Sequence, residues 1–274
     1  MKYSVNYIVN KLNEDKFNFK KKFGQNFIID ENIINKIVNL SEIDKDTLVI
    51  EIGPGMGSLT YKLCKYAKNV VCYEIDETLK DILSDTLSEY DNYEVIYKDF
   101  LKANVMEDIS KYEYKKIYVV ANLPYYITTP IIVKIIEDGI DIDKIVVMVQ
   151  KEVGDRFKAK PNSKDYNSLS IYLDYYFNVR KLMDVSKNVF IPKPNVDSIV
   201  VEFSKKDKKE LKDKDKFFKL VQDSFRQKRK TLRNNLKEYD LEKISKILSK
   251  YNFDLSVRAE QLSIDIFIDI ANNL

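Results

Sequence analysis

The 274-residue sequence predicts an α/β protein, a Rossmann-like sheet of parallel strands with helices on both faces, followed by a small all-helical C-terminal domain. Three observations carry this expectation. Short apolar runs rich in β-branched residues alternate with helical patterns from Thr47 to Val149. A glycine-rich turn, Gly53-Pro54-Gly55-Met56-Gly57, separates the first strong strand from the helix after it. Beyond Lys216 the pattern is helical and free of glycine. The larger domain is expected over 1–205, with an N-terminal arm over 1–26, and the helical domain over 206–274.

In chain order, Val5, Ile8, Val9 and Leu12 mark a short amphipathic helix over 1–13. Lys16–Phe23 interleaves basic and aromatic residues. By itself it reads as a solvated linker, although Lys20, Lys21 and Lys22 also suit an arm that touches RNA. Asp30 caps a helix running to Leu40. The strand Thr47–Ile52 enters the glycine turn, and a helix over 58–66 leaves it. Strands follow at Val70–Glu74, Tyr93–Tyr97, Ile117–Ala121 and Ile145–Val149. Helices over 76–90 and 129–138 lie between them. An apolar segment, Leu169–Phe177, precedes the stiff loop Phe190-Ile191-Pro192-Lys193-Pro194. A last strand spans Ile199–Phe203, and the charged stretch Ser204–Lys216 reads as a linker. In the helical remainder Arg226, Lys228, Arg229, Lys230 and Arg233 place five cations in eight residues, with three of the chain's six arginines. In a chain that otherwise prefers lysine, this local arginine is a sign of phosphate binding.

Composition excludes several chemistries. The chain has no histidine, which removes Ser-His-Asp and Cys-His catalysis and histidine-ligated metals, so no metal site is expected. Cys64 and Cys72 fit buried thiols in a reducing compartment. A balance of 46 basic and 43 acidic residues is too even to demonstrate a polyanion partner, so local clusters must argue that case. No run of eighteen apolar residues predicts a membrane span, and Met1–Asn10 lacks the apolar core of a secretory signal. A soluble, cytoplasmic monomer is expected.

Chemistry-bearing residues recur just past the strand ends, where open α/β sheets bind their ligands. Gly53 and Gly55 let the backbone approach a ligand closely. Glu74 lies 21 positions after Gly53, a spacing that suits a carboxylate holding both ribose hydroxyls of an adenosine. Asp99 can accept from an adenine amino group, or is a simple turn aspartate. Asn122-Leu123-Pro124-Tyr125 brings an amide, a fixed backbone and an aromatic face to the same edge. This set suits a flat, amino-bearing ring. Phe190 is either the second wall of a base pocket or a core residue beneath a proline-rich turn. The turn is not the dinucleotide G-x-G-x-x-G pattern, and no P-loop occurs.

These stretches together are identified as those of a known family. Phe23-Gly24-Gln25-Asn26-Phe27, Glu51-Ile52-Gly53-Pro54-Gly55, Asn122–Tyr125, Gln150-Lys151-Glu152-Val153, Pro161–Lys164, Pro192–Ser198 and Arg229–Asn234 follow one another in its order. The chain resembles the ribosomal RNA adenine dimethyltransferases, specifically those acting on the small subunit. The resemblance implies an S-adenosylmethionine-dependent methyltransferase fold with S-adenosyl-L-methionine as cofactor. The implied acceptor is N6 of adenine in a small-subunit RNA hairpin loop, within partly assembled ribosomal particles. It places Asn26 and Ile28 beside Gly53, Gly55, Glu74, Asp99 and Asn122 around the cofactor, and Asn122, Leu123, Pro124, Tyr125 and Phe190 around the target base. Lys20, Lys21, Lys22, Arg226, Lys228, Arg229, Lys230 and Arg233 would meet RNA phosphates. The other expectations are a large-subunit adenine methyltransferase of the macrolide-resistance type and a catalytically idle assembly factor.

Overall fold

The computed structural model describes residue 10 and residues 24–274. Lys20, Lys21 and Lys22, and all but residue 10 of the helix expected over 1–13, lie outside the described residues. The chain divides into two compact units. The first holds the described residues up to Lys151 together with Arg180–Ser204, and the second holds Glu152–Val179 and Lys205–Leu274. The chain thus first enters the second unit at Glu152, a crossing that a single boundary at 205/206 does not contain.

The first unit is built on a seven-stranded sheet. Its strands are β2 (Thr47–Ile52), β3 (Asn69–Glu74), β4 (Tyr93–Tyr97), β5 (Lys116–Asn122), β6 (Lys144–Gln150), β7 (Phe177–Val185, from Arg180) and β9 (Ser198–Lys205, to Ser204). They are ordered β4-β3-β2-β5-β6-β9-β7. From β4 to β6 every pairing is parallel. The sheet is not parallel throughout, because β9 runs antiparallel to β6, with Met148 opposite Val200. The chain steps from β2 to β3 and β4 on one side, then returns to place β5 on the other. That reversal opens a crevice beyond the carboxyl ends of β2 and β5. A separate ribbon joins β1 (Phe27–Ile28) to β8 (Phe190–Ile191), pairing Phe27 with Ile191 and Ile28 with Phe190.

All six residues of β2 are buried, as a central strand covered on both faces requires. Val49, Val70, Val120, Val146 and Val200 carry one apolar layer across five strands, and Ile34, Ile37, Leu59 and Leu63 pack on it from the helices. Of these helices, α1 (Glu31–Ser41) begins at Asp30, whose Oδ1 accepts from the N–H groups of Asn32 (2.9 Å) and Ile33 (3.3 Å). α2 spans Ser58–Tyr66. The helix expected over 76–90 is shorter: a 3-10 turn, Glu77–Leu79, leads into α3 (Lys80–Thr86). Asp76 accepts from both the N–H and the hydroxyl of Thr78, which tightens that first turn. α4 (Val105–Ile109) and α5 (Thr128–Glu137) are the other helices of this unit among the described residues. Strand β7 was not expected. Its charged residues, among them Arg180, Lys181 and Asp184, hide the alternation at a sheet edge.

The second unit contains α6 (Lys151–Phe157, from its second residue), α7 (Ser168–Tyr176), α8 (Lys214–Ser224), α9 (Leu232–Asn235), α10 (Leu241–Ser249) and α11 (Ile264–Asn273). Residues 152–179 belong here because α7 packs its aromatics on α8: Tyr176 stacks on Phe218 with ring centroids 6.1 Å apart, and Tyr175 meets Phe217 at 5.8 Å. The basic segment is not the continuous helix the sequence suggests. After Ser224 the chain turns, and the Asn235 amide donates to the carbonyls of Ser224 (2.6 Å) and Gln227 (3.3 Å). Carbonyls that another helical turn would have occupied are satisfied by this side chain instead. The N–H groups of Leu232 and Arg233 bond to Val257 and Leu255. Among the described residues, no helix is long and apolar enough to cross a membrane.

Candidate active site

A cavity of about 200 Å³ opens at the carboxyl ends of β2 to β5. Gly53 follows β2, Glu74 ends β3, Asp99 follows β4 and Asn122 ends β5, and all four line it together with residues 24–28. Four parallel strands end on one edge, so residues spread over seventy positions converge without any local sequence relation.

Glu74 is the best-anchored of these groups. Its Oε2 accepts from the Gly55 N–H (3.1 Å) and its Oε1 from the Asp76 N–H (2.8 Å), and it is only 4 % exposed. Burial pushes its carboxyl above the usual range, and backbone donors at Asp76, Gly55 and Ile75 oppose that shift. A carboxylate accepts about four hydrogen bonds, so lone pairs remain for a pair of hydroxyls. Gly55 sits at φ +60, and a Cβ there would stand 2.8 Å from the Phe27 ring, so only glycine lets the turn pass beneath residues 24–28. At Asp99, Oδ1 caps the next turn through the Leu101 N–H (3.0 Å), while Oδ2 has no partner among the described residues. These acceptors, with the apolar walls of Ile28, Ile75 and Leu101, fit an adenosine-bearing cofactor such as S-adenosylmethionine. Gln25 donates to Asp76 Oδ2 at 2.8 Å and so ties the segment over the cavity to the turn after β3.

Glu51 was not foreseen as a cavity residue, although it stands in the Glu-Ile-Gly-Pro-Gly stretch. It lines the cavity at 1 % exposure, and burial pushes its carboxyl up to about 8. The Cys72 thiol donates to its Oε2 at 3.7 Å. Cys64 and Cys72 are both free and buried, and among the described residues no cluster of ligating side chains can hold a metal.

At the other end of the cavity, the Asn122 amide donates through Nδ2 to the Asn26 carbonyl at 2.9 Å. A carbonyl partner fixes which end of the amide faces it, so Oδ1 is the end left over, and among the described residues it has no partner. Asn26 itself donates to the Gly24 carbonyl (3.1 Å). The Leu123 N–H bonds to Met148 (3.1 Å), which holds the peptide to β6, and the Leu123 carbonyl accepts from no described residue. The carbonyl of Pro124 accepts from the Ile127 N–H (3.2 Å) and the Thr128 hydroxyl (3.1 Å). Tyr125 is half-buried. Its hydroxyl lies 2.7 Å from that of Ser198, a fully buried residue that the sequence did not single out as part of the site.

Phe190 requires a correction. It is 2 % exposed and packs in the sheet core with Ile28, Ile34 and Val200, and it does not line the cavity. Its pairing with Ile28 directs the ring inward, where an apolar side chain is most stable. The proline-rich segment instead reaches the site through Ser198. Arg226, Lys228, Arg229, Lys230 and Arg233 lie in the second unit and are exposed. Lys228 donates to the Lys164 carbonyl (2.6 Å), and the other four make no ion pair among the described residues.

Comparison with known proteins places this geometry. A family model described as ribosomal RNA adenine dimethylase matches residues 16–274. The ribosomal RNA small subunit methyltransferase A of Oceanobacillus iheyensis is 46% identical over 265 residues, 93% of this chain and 90% of that protein. The protein of the same name from Bacillus cytotoxicus is 48% identical over 268 residues, 94% of this chain and 92% of its own. Among solved structures, a dimethyladenosine transferase from Plasmodium falciparum superposes with a TM-score of 0.75 at 26% identity, covering 88% of this chain and 94% of that one. The 23S rRNA methyltransferase ErmE, at 23% identity and a TM-score of 0.73 over 90% of this chain and 99% of its own, shares the fold. The chain belongs to the ribosomal RNA adenine dimethylase family.

Proposed function

We propose that the protein transfers methyl groups from S-adenosylmethionine to N6 of adenines in a small-subunit ribosomal RNA hairpin, twice per base, on partly assembled particles in the cytoplasm. The observation that carries this reading is the Asn122 amide, turned by the Asn26 carbonyl so that Oδ1 is left to accept, in the cavity that Leu123 also lines with a carbonyl that accepts from no described residue. Two acceptors at that point match the two hydrogens of an exocyclic amino group.

The cofactor supplies an electrophilic sulfonium methyl group. Glu74 and Asp99 have the acceptors to hold the ribose hydroxyls and the adenine amino group at the far end. An adenine amino nitrogen is a weak nucleophile because its lone pair is delocalised into the ring. Asn122 and Leu123 would accept hydrogen bonds from its two N–H groups and favour a pyramidal nitrogen. This is orientation and electrostatic stabilisation with no covalent intermediate. Tyr125 offers its face to a base that has left its stack. Methylation leaves a positively charged, acidic nitrogen whose proton passes to water, so the absence of histidine is no obstacle. The second unit, with its exposed arginines and lysines, holds the particle through phosphates and works with the first as a monomer.

The test is mass spectrometry of rRNA after small-subunit particles from a strain lacking the enzyme are incubated with the protein and S-adenosylmethionine. Dimethyladenosine in small-subunit RNA is the expected product. Methylation confined to large-subunit RNA, or none, would overturn the reading.

A further inference from the structure

We propose that Tyr126 is a stacking platform for the nucleobase that flanks the target adenine in the RNA strand, so that the site grips two neighbouring nucleotides. This rests on the reading above that the substrate is RNA.

Among the described residues, Ile75 and Tyr126 are the exposed large apolar side chains that also line the cavity. Ile75 follows Glu74 and belongs to the cofactor end. Tyr126 follows Tyr125 at the Asn122 end and is 57% exposed. A lone surface tyrosine is ordinary, but this one has a built seat. Gly24 adopts φ +60 beneath it, and a Cβ at that position would come 3.1 Å from Cδ1 of the Tyr126 ring. The bare glycine therefore lets the ring rest on the backbone of the segment that carries Asn26. From the other side, the 3-10 turn Tyr125–Ile127 is held by the two bonds to the Pro124 carbonyl. Ring position is thus set by backbone on both sides, while the Tyr126 hydroxyl makes no hydrogen bond among the described residues.

The other rings considered for the site have their own places. Phe190 is in the core, and Tyr125, its hydroxyl held by buried Ser198, offers its face to the target base itself. When one base leaves its stack, its neighbour loses a stacking partner on that side. An exposed aromatic ring next to the target pocket replaces it, and such stacking tolerates any base because every base has a π-face. Tyr126 therefore adds affinity without selecting the neighbour's identity.

The chain contains no tryptophan, so Tyr126→Trp introduces the sole indole. A synthetic RNA hairpin with an unpaired adenine should quench its emission. The same hairpin with abasic nucleotides on both sides of that adenine should leave it unquenched. In turnover with small-subunit particles, Tyr126→Ala should raise KM for the particle about tenfold, with the change concentrated in KM and cofactor affinity unaltered. Tyr126→Phe should restore the parent KM. Equal quenching by both hairpins, or a parent-like KM in Tyr126→Ala, would overturn the proposal while leaving adenine methylation standing. If the parent methylated no RNA, the functional reading would fail instead, and the indole signal, which needs no turnover, would still decide whether a base stacks on residue 126.

Discussion

Tyr125 and Ser198 join hydroxyls at 2.7 Å across 73 positions of sequence. Ser198 begins β9 in the core of the sheet, and Tyr125 stands where the chain leaves β5. The bond ties an aromatic ring at the cavity edge to a fully buried residue of the sheet. Burial also raises the Tyr125 phenol above its ordinary value, so it stays neutral at physiological pH.

Removing either hydroxyl should therefore loosen the ring rather than abolish stacking. Tyr125→Phe and Ser198→Ala are each expected to slow methyl transfer by roughly tenfold or less, the scale of one neutral hydrogen bond. The double variant should be no slower than the worse single one, because both delete the same hydrogen bond. Single-turnover rates that multiply in the double variant would show the two residues to act independently.

Asn122→Ala should leave the fold intact and reduce transfer by about 100- to 1000-fold, the usual effect of deleting one orienting group. Cofactor affinity should change far less, since Glu74 and Asp99 stay in place. A rate within a few-fold of the parent would rule out the amide as the acceptor for the target base.

Glu74→Ala is expected to weaken S-adenosylmethionine binding by about 1–3 kcal/mol, the range for an acceptor removed from a buried site. The Gly55 N–H would also lose its partner. Calorimetric titration giving the parent's affinity would take Glu74 out of the ribose role.

Glu51 imposes a pH dependence on stability. In the fold its carboxyl keeps a proton up to about pH 8, against an ordinary value of 4.5. Between those values the unfolded chain binds fewer protons than the native one, so stability falls as pH rises through the window, by at most about 1.4 kcal/mol per pH unit. Glu51→Gln, neutral at every pH, should flatten that decline and be the more stable form near pH 8. Urea denaturation at a series of pH values checks this, and an unchanged slope in the variant would show that Glu51 does not titrate in the fold.

The exposed cations of the second unit predict a salt effect. Replacing Arg229, Lys230 and Arg233 by Ala should weaken binding to small-subunit particles and reduce the dependence of log K on log salt by about one for each phosphate left without its cation. Cofactor affinity should be untouched. A parent-like affinity and salt slope would mark the cluster as an ordinary solvated surface.

The sequence alone determined the order of the parallel strands' punctuation. Apolar β-branched runs end abruptly at Gly53, Glu74, Asp99 and Asn122, and local patterning of this kind survives in any fold that buries those runs. That is why the sheet edge lining the cavity and the Asn122–Tyr125 segment are legible in the sequence. Folding decided what depends on partners far away in the chain. Phe190 reads equally well as a pocket wall or a core residue, and its pairing with Ile28 across the β1–β8 ribbon chose the core. Ser198 stands in the Pro192–Ser198 stretch, but nothing local links it to Tyr125, and their meeting exists only because β9 joins the sheet antiparallel to β6. The basic segment keeps a helical pattern, yet the Asn235 amide and the backbone of 255–257 satisfy the groups that another helical turn would have used. Periodicity reports which residues prefer burial or a given backbone. Which atoms meet is set by the packing of elements that the sequence separates by tens of residues.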